Sequence, residues 1–197
     1  MKKEEYVDFI RGIVDPSGKN PRFHPKQVEY AIEMVYNQLT MNLNPNEYDN
    51  IDFLTKEYTA QTCTLDATTN RYYVALPAPV VPLRIPSEAI RHINTNQGTA
   101  FDFCPATETI WEIIDGLFSN DIDTTIPYIV RYNRVWFGST MTAAIAAAGV
   151  RMVVAVTFST FDYTEDVNLT IGGVDLVQAA VQMLMNTQPM NLKNDNK

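Results

Sequence analysis

The sequence predicts an α+β protein with N-terminal helices, an antiparallel, sandwich-like β core and an apolar helix near the C-terminus. Three observations support this class. Apolar residues recur at helical spacing within residues 1–45, segments rich in threonine and aromatic residues follow over residues 52–171, and helical spacing returns over residues 173–186. The length of 197 residues and the 46% hydrophobic content suit one domain with a sizeable core. The polar residues 187–197 are expected to form a mobile tail.

Two helices are expected before the β core. The first has apolar residues at i, i+3, i+4 and i+7, namely Tyr6, Phe9, Ile10 and Ile13. It ends before the turn signal DPSGKNP. The second begins at Pro25, because proline is favoured at the first helical position, and continues to about Met41. Its apolar stripe consists of Val28, Ile32, Val35 and Leu39.

Strand patterns dominate the middle of the chain. YTAQTCTLDATTNRYYVAL, from Tyr58, predicts two strands joined by the turn DATTN. IPYIVRYNRVWFG, from Ile126, predicts a hairpin with its turn at Tyr132-Asn133-Arg134, and RMVVAVTF, from Arg151, predicts a central strand. Between them, STMTAAIAAAG predicts a short helix capped by Ser139 and ended by Gly149. ETIWEIIDGLF, from Glu108, fits either a helix or a strand.

A proline-rich arm is expected over residues 76–90. Its four prolines, at positions 77, 79, 82 and 86, fix φ in the extended region and remove backbone donors. The segment can therefore be neither a central strand nor a helix over its length. We expect a stiff, extended arm, whose apolar side chains need a surface to lie against.

The C-terminal helix, residues 173–186, is apolar on most of its circumference. Its polar residues lie three or four apart in one narrow stripe: Asp175, Gln178, Gln182 and Asn186. A helix of this kind must be covered on several sides, and a small domain has few layers with which to cover it. Part of the cover is expected to come from another chain.

The charge distribution excludes some functions. The formal net charge of −8 argues against tight nucleic-acid binding, which depends on Lys and Arg. Lys and Arg are absent between Arg91 and Arg131, where six acids occur: Asp102, Glu108, Glu112, Asp115, Asp121 and Asp123. Residues 152–192 also lack Lys and Arg. These stretches predict either a solvated acidic face or a surface that DNA passes without adhering.

Compartment signals are weak but consistent. The longest apolar stretch, from Met141, is interrupted by Arg151, and the N-terminus carries acids where a signal peptide is apolar. We expect no membrane association and no export. Cys63 and Cys104 form no spaced pair, which indicates neither a disulfide framework nor a zinc site.

The motifs that suggest chemistry are incomplete. GIVDPSGKN contains Gly-Lys but has Ile13 and Asn20 where a phosphate loop requires Gly and Ser or Thr. Cys104, His92 and Asp102 have the residue types of a nucleophile, its base and the group that orients the base. However, Pro105 follows the cysteine and offers no N–H to an oxyanion.

Two further groups have ordinary structural explanations. The acids Asp162, Glu165 and Asp166 lack the alternating pattern of a calcium loop and suit a solvated turn. Six aromatic residues suit core or cross-strand pairs, although they could also form a ligand-binding face: Tyr72, Tyr73, Tyr128, Tyr132, Trp136 and Phe137.

The closing third, VRMVVAVTFSTFDYTEDVNLTIGGVDLVQAAVQMLMNTQPMNLKNDNK, resembles the C-terminal part of head-to-tail connector or ring proteins of tailed bacteriophages, particularly crAss-like and related short-tailed phages. The shared order is an apolar strand, an aromatic and acidic turn, a short apolar segment, a hydrophobic helix and a polar tail. Here these parts cover residues 150–158, 161–166, 169–171, 173–186 and 189–197. The turn FSTFDYTEDVNL is shorter than the Pro-containing acidic turn of that family.

The resemblance implies a virion structural protein made in the bacterial host cytoplasm and located at the portal vertex. Copies would form a twelve-fold ring that contacts the portal and neighbouring tail or ring proteins, and DNA would pass through the lumen without specific binding. No enzymatic activity, cofactor or metal is expected. Candidate subunit contacts lie on the arm and the C-terminal helix: Leu76, Val80, Val81, Leu83, Ile85, Val177, Val181 and Leu184.

Two alternatives remain open. A monomeric β-sandwich module could bind a glycan or protein on an aromatic face that includes Tyr72, Tyr73 and Trp136. A hydrolase could use Cys104 as its nucleophile.

Overall fold

The computed structural model describes residues 1–16, 23–96, 101–113, 115 and 125–187. It is an α+β protein, as the sequence predicts. The helices are α1 (Lys3–Val14), α2 (Pro25–Asn42), α3 (Ala143–Ala148) and α4 (Leu176–Asn186). The strands are β1 (Thr55–Gln61), β2 (Thr64–Asp66), β3 (Arg71–Ala75), β4 (Ile90–Thr95), β5 (Asp102–Pro105), β6 (Thr125–Arg131), β7 (Arg134–Phe137), β8 (Val150–Ala155), β9 (Thr170–Ile171) and β10 (Val174–Asp175).

The chain forms two compact units. One combines Met1–Leu39 with the chain from Thr157 onward, so both ends of the sequence build it. The other is the continuous segment Thr40–Val156. The first contains α1 and α4, and the second contains both larger β-sheets. The sequence predicts one domain over residues 1–197 and does not indicate this division.

Helix α1 buries a different stripe from the one expected. Val7, Ile10 and Val14 are buried at helical spacing, and α1 contacts α4. Phe9 and Ile13, which were expected in the same buried stripe as Ile10, are instead 56% and 39% exposed. The helix is therefore apolar on two sides, only one of which is covered.

Helix α4 is covered on one face, and Met185, which lies outside that face, is 56% exposed. Asp175 caps it, because its carboxylate accepts hydrogen bonds from the N–H groups of Val177 and Gln178 at 2.9 and 3.3 Å. One face is buried in the unit: Leu176, Ala180, Val181 and Leu184. The predicted contact residues Val181 and Leu184 therefore lie in this core, and Val177 is partly exposed.

The sheet of three strands has the order β1-β8-β4 and is antiparallel. Strand β8 is central, which confirms the sequence prediction for this segment, and its residues Val150, Met152 and Val154 are fully buried. The sheet of five strands has the order β2-β3-β7-β6-β5. Its β5–β6 pair is parallel, so this sheet is mixed rather than wholly antiparallel.

The strand expected before the turn DATTN divides into two strands that belong to different sheets. Strand β1 pairs with β8, whereas β2 pairs with β3. The register of β1 shifts between Tyr58 and Gln61, and Ala60 has a φ of 53°. This bulge bends the strand and allows the chain to change sheets.

The proline-rich arm lies along its own chain. The Val81 N–H donates to Ala155 O at 3.0 Å, and Val80 forms an isolated bridge with Val156. Leu76, Val81 and Leu83 are 5%, 0% and 8% exposed. They are core residues, which corrects the expectation that a neighbouring subunit would cover them. Val80 and Ile85 remain partly exposed.

Candidate functional site

A groove of about 540 Å³ lies between the edge strands of the two larger sheets. Strand β4 is the outer strand of one sheet and β5 is the outer strand of the other, and both line the groove. Edge strands carry backbone donors and acceptors on their open side. Aromatic side chains form part of its wall: Phe101, Phe103 and Tyr128. The groove therefore combines apolar and hydrogen-bonding surfaces, which suits recognition of a protein segment.

The groove is acidic at its rim. Its ionisable lining comprises Asp49, Glu88, Arg91, His92 and Asp102. Arg91 is held in place, because it donates to Tyr48 O at 2.9 Å and Glu88 O at 3.3 Å and pairs with Asp49 at 3.4 Å. Burial raises the pKa of Glu88; Arg91 opposes this shift and the charge of Asp49 adds to it.

The structure brings together only part of the suggested nucleophile set. His92 and Asp102 line the groove, one on each edge strand, and Cys104 is partly buried on β5. The Cys104 thiol donates to Pro105 O at 3.8 Å. Burial and the charge of Glu88 raise the pKa of this thiol. A nucleophilic cysteine needs a lowered pKa, so the environment disfavours this role.

The β6–β7 hairpin projects an aromatic side chain. Tyr132 and Asn133 form its two-residue turn with φ values of 50° and 58°, and the Tyr132 side chain is 96% exposed. This agrees with the turn that the sequence predicts. Asn133 fixes the turn to the arm: its carbonyl accepts from Leu76 N at 3.0 Å, and its Nδ2 donates to Leu76 O at 3.1 Å.

The aromatic residues do not form one face. Tyr73 and Trp136 are cross-strand partners with ring centroids 5.0 Å apart, but Tyr72 lies next to Tyr73 on the strand and lines a different groove with Cys63. Tyr128 and Phe137 are buried. The Arg134 guanidinium lies 4.4 Å from the Tyr73 ring centroid and covers part of the pair.

Several residues of the acidic stretch between Arg91 and Arg131 have arginine partners. Asp115, which is 5% exposed, pairs with Arg71 at 2.9 Å, and Glu112 pairs with the same guanidinium at 3.0 Å. Glu108 pairs with Arg131 at 2.5 Å. The local negative charge is therefore smaller than the sequence suggests. Asp121 and Asp123 lie outside the described residues.

A buried ionic network in the first unit was missed by the sequence analysis. The Lys3 Nζ donates to Phe161 O at 2.8 Å and pairs with Glu29 at 3.2 Å. Tyr163 OH donates a short hydrogen bond to Glu29, and Lys26 pairs with this carboxylate at 3.4 Å. A signal was present, because Lys3 lies one helical turn before Val7 and continues the buried stripe of α1.

The remaining sequence candidates have structural explanations or lie outside the described residues. Glu165 accepts a hydrogen bond from Asp162 N at 2.5 Å and so stabilises its own turn, whereas Asp166 pairs with the amine of Met1 at 3.6 Å. The Gly-Lys pair, residues 18 and 19, is outside the described ranges. Of ETIWEIIDGLF, residues 111–113 are helical, which favours the helical alternative for that part.

Within the described ranges, no group of three or more His, Cys, Asp or Glu side chains is arranged to hold a metal ion. None of the helices in this part of the chain combines the length and apolar character needed to cross a bilayer. Comparison with models of protein families finds no match for this chain, and comparison with curated protein sequences finds none either.

Proposed function

We propose that this protein is a structural component of a tailed-phage virion and forms a homomeric, twelve-fold ring at the portal vertex. The ring joins the portal to neighbouring tail or ring proteins, and genomic DNA passes through its lumen. The order of elements from Val150 onward supports this proposal through its resemblance to connector proteins.

The two apolar sides of α1 are the observation that carries the proposal. Val7, Ile10 and Val14 pack into the unit, whereas Phe9 and Ile13 lie one turn apart on an exposed side. Large apolar side chains grouped on a surface are typical of protein interfaces. An assembling protein uses such a surface to contact its neighbours.

Native mass spectrometry tests the proposal. The purified protein is measured alone and after mixing with the portal protein encoded in the same genome. A ring, or a complex of many copies that forms only with the portal, is the expected result. A monomer that does not associate with the portal would contradict the proposal. Phe9→Ser should reduce assembly, whereas Phe9→Leu should retain it, because only the former removes the apolar contact.

A second candidate is a monomeric module that binds a glycan or protein ligand on the Tyr73–Trp136 pair. Neighbouring aromatic side chains are typical of such faces, and Tyr132 projects from the adjacent hairpin. Trp136→Ala should then abolish binding on a glycan array while the protein remains monomeric. If Trp136→Ala leaves the glycan-array signal unchanged and the protein assembles on the portal, this candidate is excluded.

A further inference from the structure

The β6–β7 hairpin places a tyrosine where the backbone conformation is unfavourable. A two-residue turn of type I′ requires positive φ at both positions, and Tyr132 and Asn133 have φ values of 50° and 58°. Asn adopts this conformation readily, whereas an aromatic residue seldom does. The Tyr132 side chain is 96% exposed, so packing within the chain does not offset the strain. Such an outlier points to a role for the side chain outside its own chain.

The turn that carries this side chain is held in place. Both the carbonyl and the Nδ2 of Asn133 form hydrogen bonds with the backbone of Leu76, which is buried. Because tyrosine has only two side-chain torsions, it loses little conformational entropy on binding, and Tyr is enriched among the residues that dominate interface energies.

Charge identifies a complementary surface. Arg134, beside the turn, lies over Tyr73, and within the described part of the chain it has no carboxylate partner. Asp102, exposed at the rim of the β4–β5 groove, has no cationic partner among the same residues. Arg91 and Asp49 on that rim form an ion pair, so Glu88 and Asp102 give the rim a net negative charge. Arg131 near the turn is paired with Glu108, so Arg134 gives the hairpin tip a net positive charge.

We propose that Tyr132 of one copy inserts into the β4–β5 groove of the next copy, where Arg134 pairs with Asp102. A groove of about 540 Å³ has room for the phenol ring, and the side chains of Phe101, Phe103 and Tyr128 provide aromatic contacts for it. The inference rests on the proposed function, because it names the contact that joins neighbouring copies in the ring.

This contact has the symmetry that a ring requires. The hairpin and the groove are different surfaces of the same unit, Thr40–Val156. A contact between unlike surfaces repeats head to tail, and it closes into a ring when the rotation between copies allows.

Disulfide trapping tests the contact directly. In a Cys63→Ser/Cys104→Ser background, an Arg131→Cys protein, which keeps Tyr132 and Arg134, is mixed with a His92→Cys protein and an oxidant is added. We expect a cross-linked pair from the mixture and none from either variant alone. Leu65→Cys, exposed on the opposite edge of the five-stranded sheet, is the matched control and should not cross-link with Arg131→Cys.

The outcomes distinguish the two proposals. Assembly of many copies on the portal without the cross-link between positions 131 and 92 would overturn this contact and leave the proposed function intact. The cross-link without a ring or a portal complex would support the contact and overturn the proposed function.

Substitutions provide an independent measurement. Tyr132→Asn suits the left-handed backbone and should maintain or raise Tm, yet it should raise the protein concentration needed for assembly about tenfold or more. Arg134→Glu should impair assembly, and adding Asp102→Arg to the same chain should restore it by exchanging the charges. Unchanged assembly by Tyr132→Asn, or no restoration by the double variant, would contradict the contact.

Discussion

The ammonium group of Lys3 lies 3.2 Å from the carboxylate of Glu29, and the two side chains are only 3% and 9% exposed. The pair joins α1 to α2, and the Lys3 ammonium also binds the carbonyl of Phe161. Removing one partner of a buried ion pair lowers the free energy of unfolding, because the remaining buried charge is strongly unfavourable.

Lys3→Met should therefore destabilise the protein by about 3 kcal/mol, measured by urea unfolding. Asp8→Asn is the matched control, since the Asp8–Arg11 pair on the same helix is more exposed and should contribute less than about 1 kcal/mol. An equal loss of unfolding free energy in the two variants would contradict the expectation that the buried Lys3–Glu29 pair contributes more to stability than the exposed pair.

Glu29 should make stability depend on acid pH. Burial acts to raise the pKa of its carboxyl, but the hydrogen bond from Tyr163 and the charges of Lys3 and Lys26 outweigh burial and hold the pKa below its ordinary value of 4.5. The stabilisation is therefore present above pH 4.5 and is lost as the pH falls through the pKa of the folded state. The free energy of unfolding of the native protein should approach that of Glu29→Gln at low pH. A constant difference between them from pH 7 to pH 3 would refute this linkage.

Gly138→Ala should be strongly destabilising. An added Cβ would lie 2.3 Å from Asp115 Oδ1 and 2.5 Å from Pro127 Cγ, which requires the buried Arg71–Asp115 pair or the strand to move. We expect a loss of about 2 kcal/mol or more. Gly12→Ala is the control, because nothing lies within 4 Å of its Cβ position and helix α1 should gain about 0.5–1 kcal/mol. Tm values of the two variants that shift in the same direction would contradict the expectation.

Val81→Ser should affect the fold of the single chain. The side chain is fully buried, so the change removes apolar contact and buries a hydroxyl, at a cost of about 2–4 kcal/mol. Val80→Ser changes the neighbouring, partly exposed residue and should cost less than about 1 kcal/mol. If Val81→Ser keeps full stability in urea but prevents assembly, the arm contacts another subunit after all.

The two thiols should react slowly. Burial raises the pKa of Cys63 to about 11, and burial with the charge of Glu88 raises that of Cys104. Because the thiolate is the reactive species, alkylation by iodoacetamide at pH 7.5 should be at least about tenfold slower than for free cysteine. The rate at Cys63, isolated in the Cys104→Ser variant, should rise steadily up to about pH 11. Rapid alkylation of Cys104 at neutral pH would revive the hydrolase hypothesis.

Local patterns predicted the elements that depend on nearby residues. Helices α1 and α2, the central strand β8 and the Tyr132–Asn133 turn agree with their sequence signals because spacing and turn chemistry act over a few positions. The burial of α1 was predicted less well. Its apolar residues occupy two sides, and only tertiary packing determines which side is covered.

Long-range pairings could not be predicted in this way. The break between β1 and β2 contains neither Gly nor Pro, and it is visible only as the Ala60 backbone conformation and the change of sheet. The acids Glu112 and Asp115 seemed unpaired because Arg71 lies about forty positions away in the sequence. Arg91 and His92, likewise, line the same groove as Asp102 because β4 and β5 are edge strands of the two larger sheets.

The unit built from both chain ends also sets an order of folding. Residues Thr40–Val156 can complete their sheets as soon as they leave the ribosome, whereas α1 lacks its partner α4 until the chain beyond Thr157 has been synthesised. Its core contacts therefore have a high contact order, and closing so long a loop slows folding. Until then the side of α1 formed by Val7, Ile10 and Val14 has no cover from α4, so the unit built from both chain ends is the last to be completed.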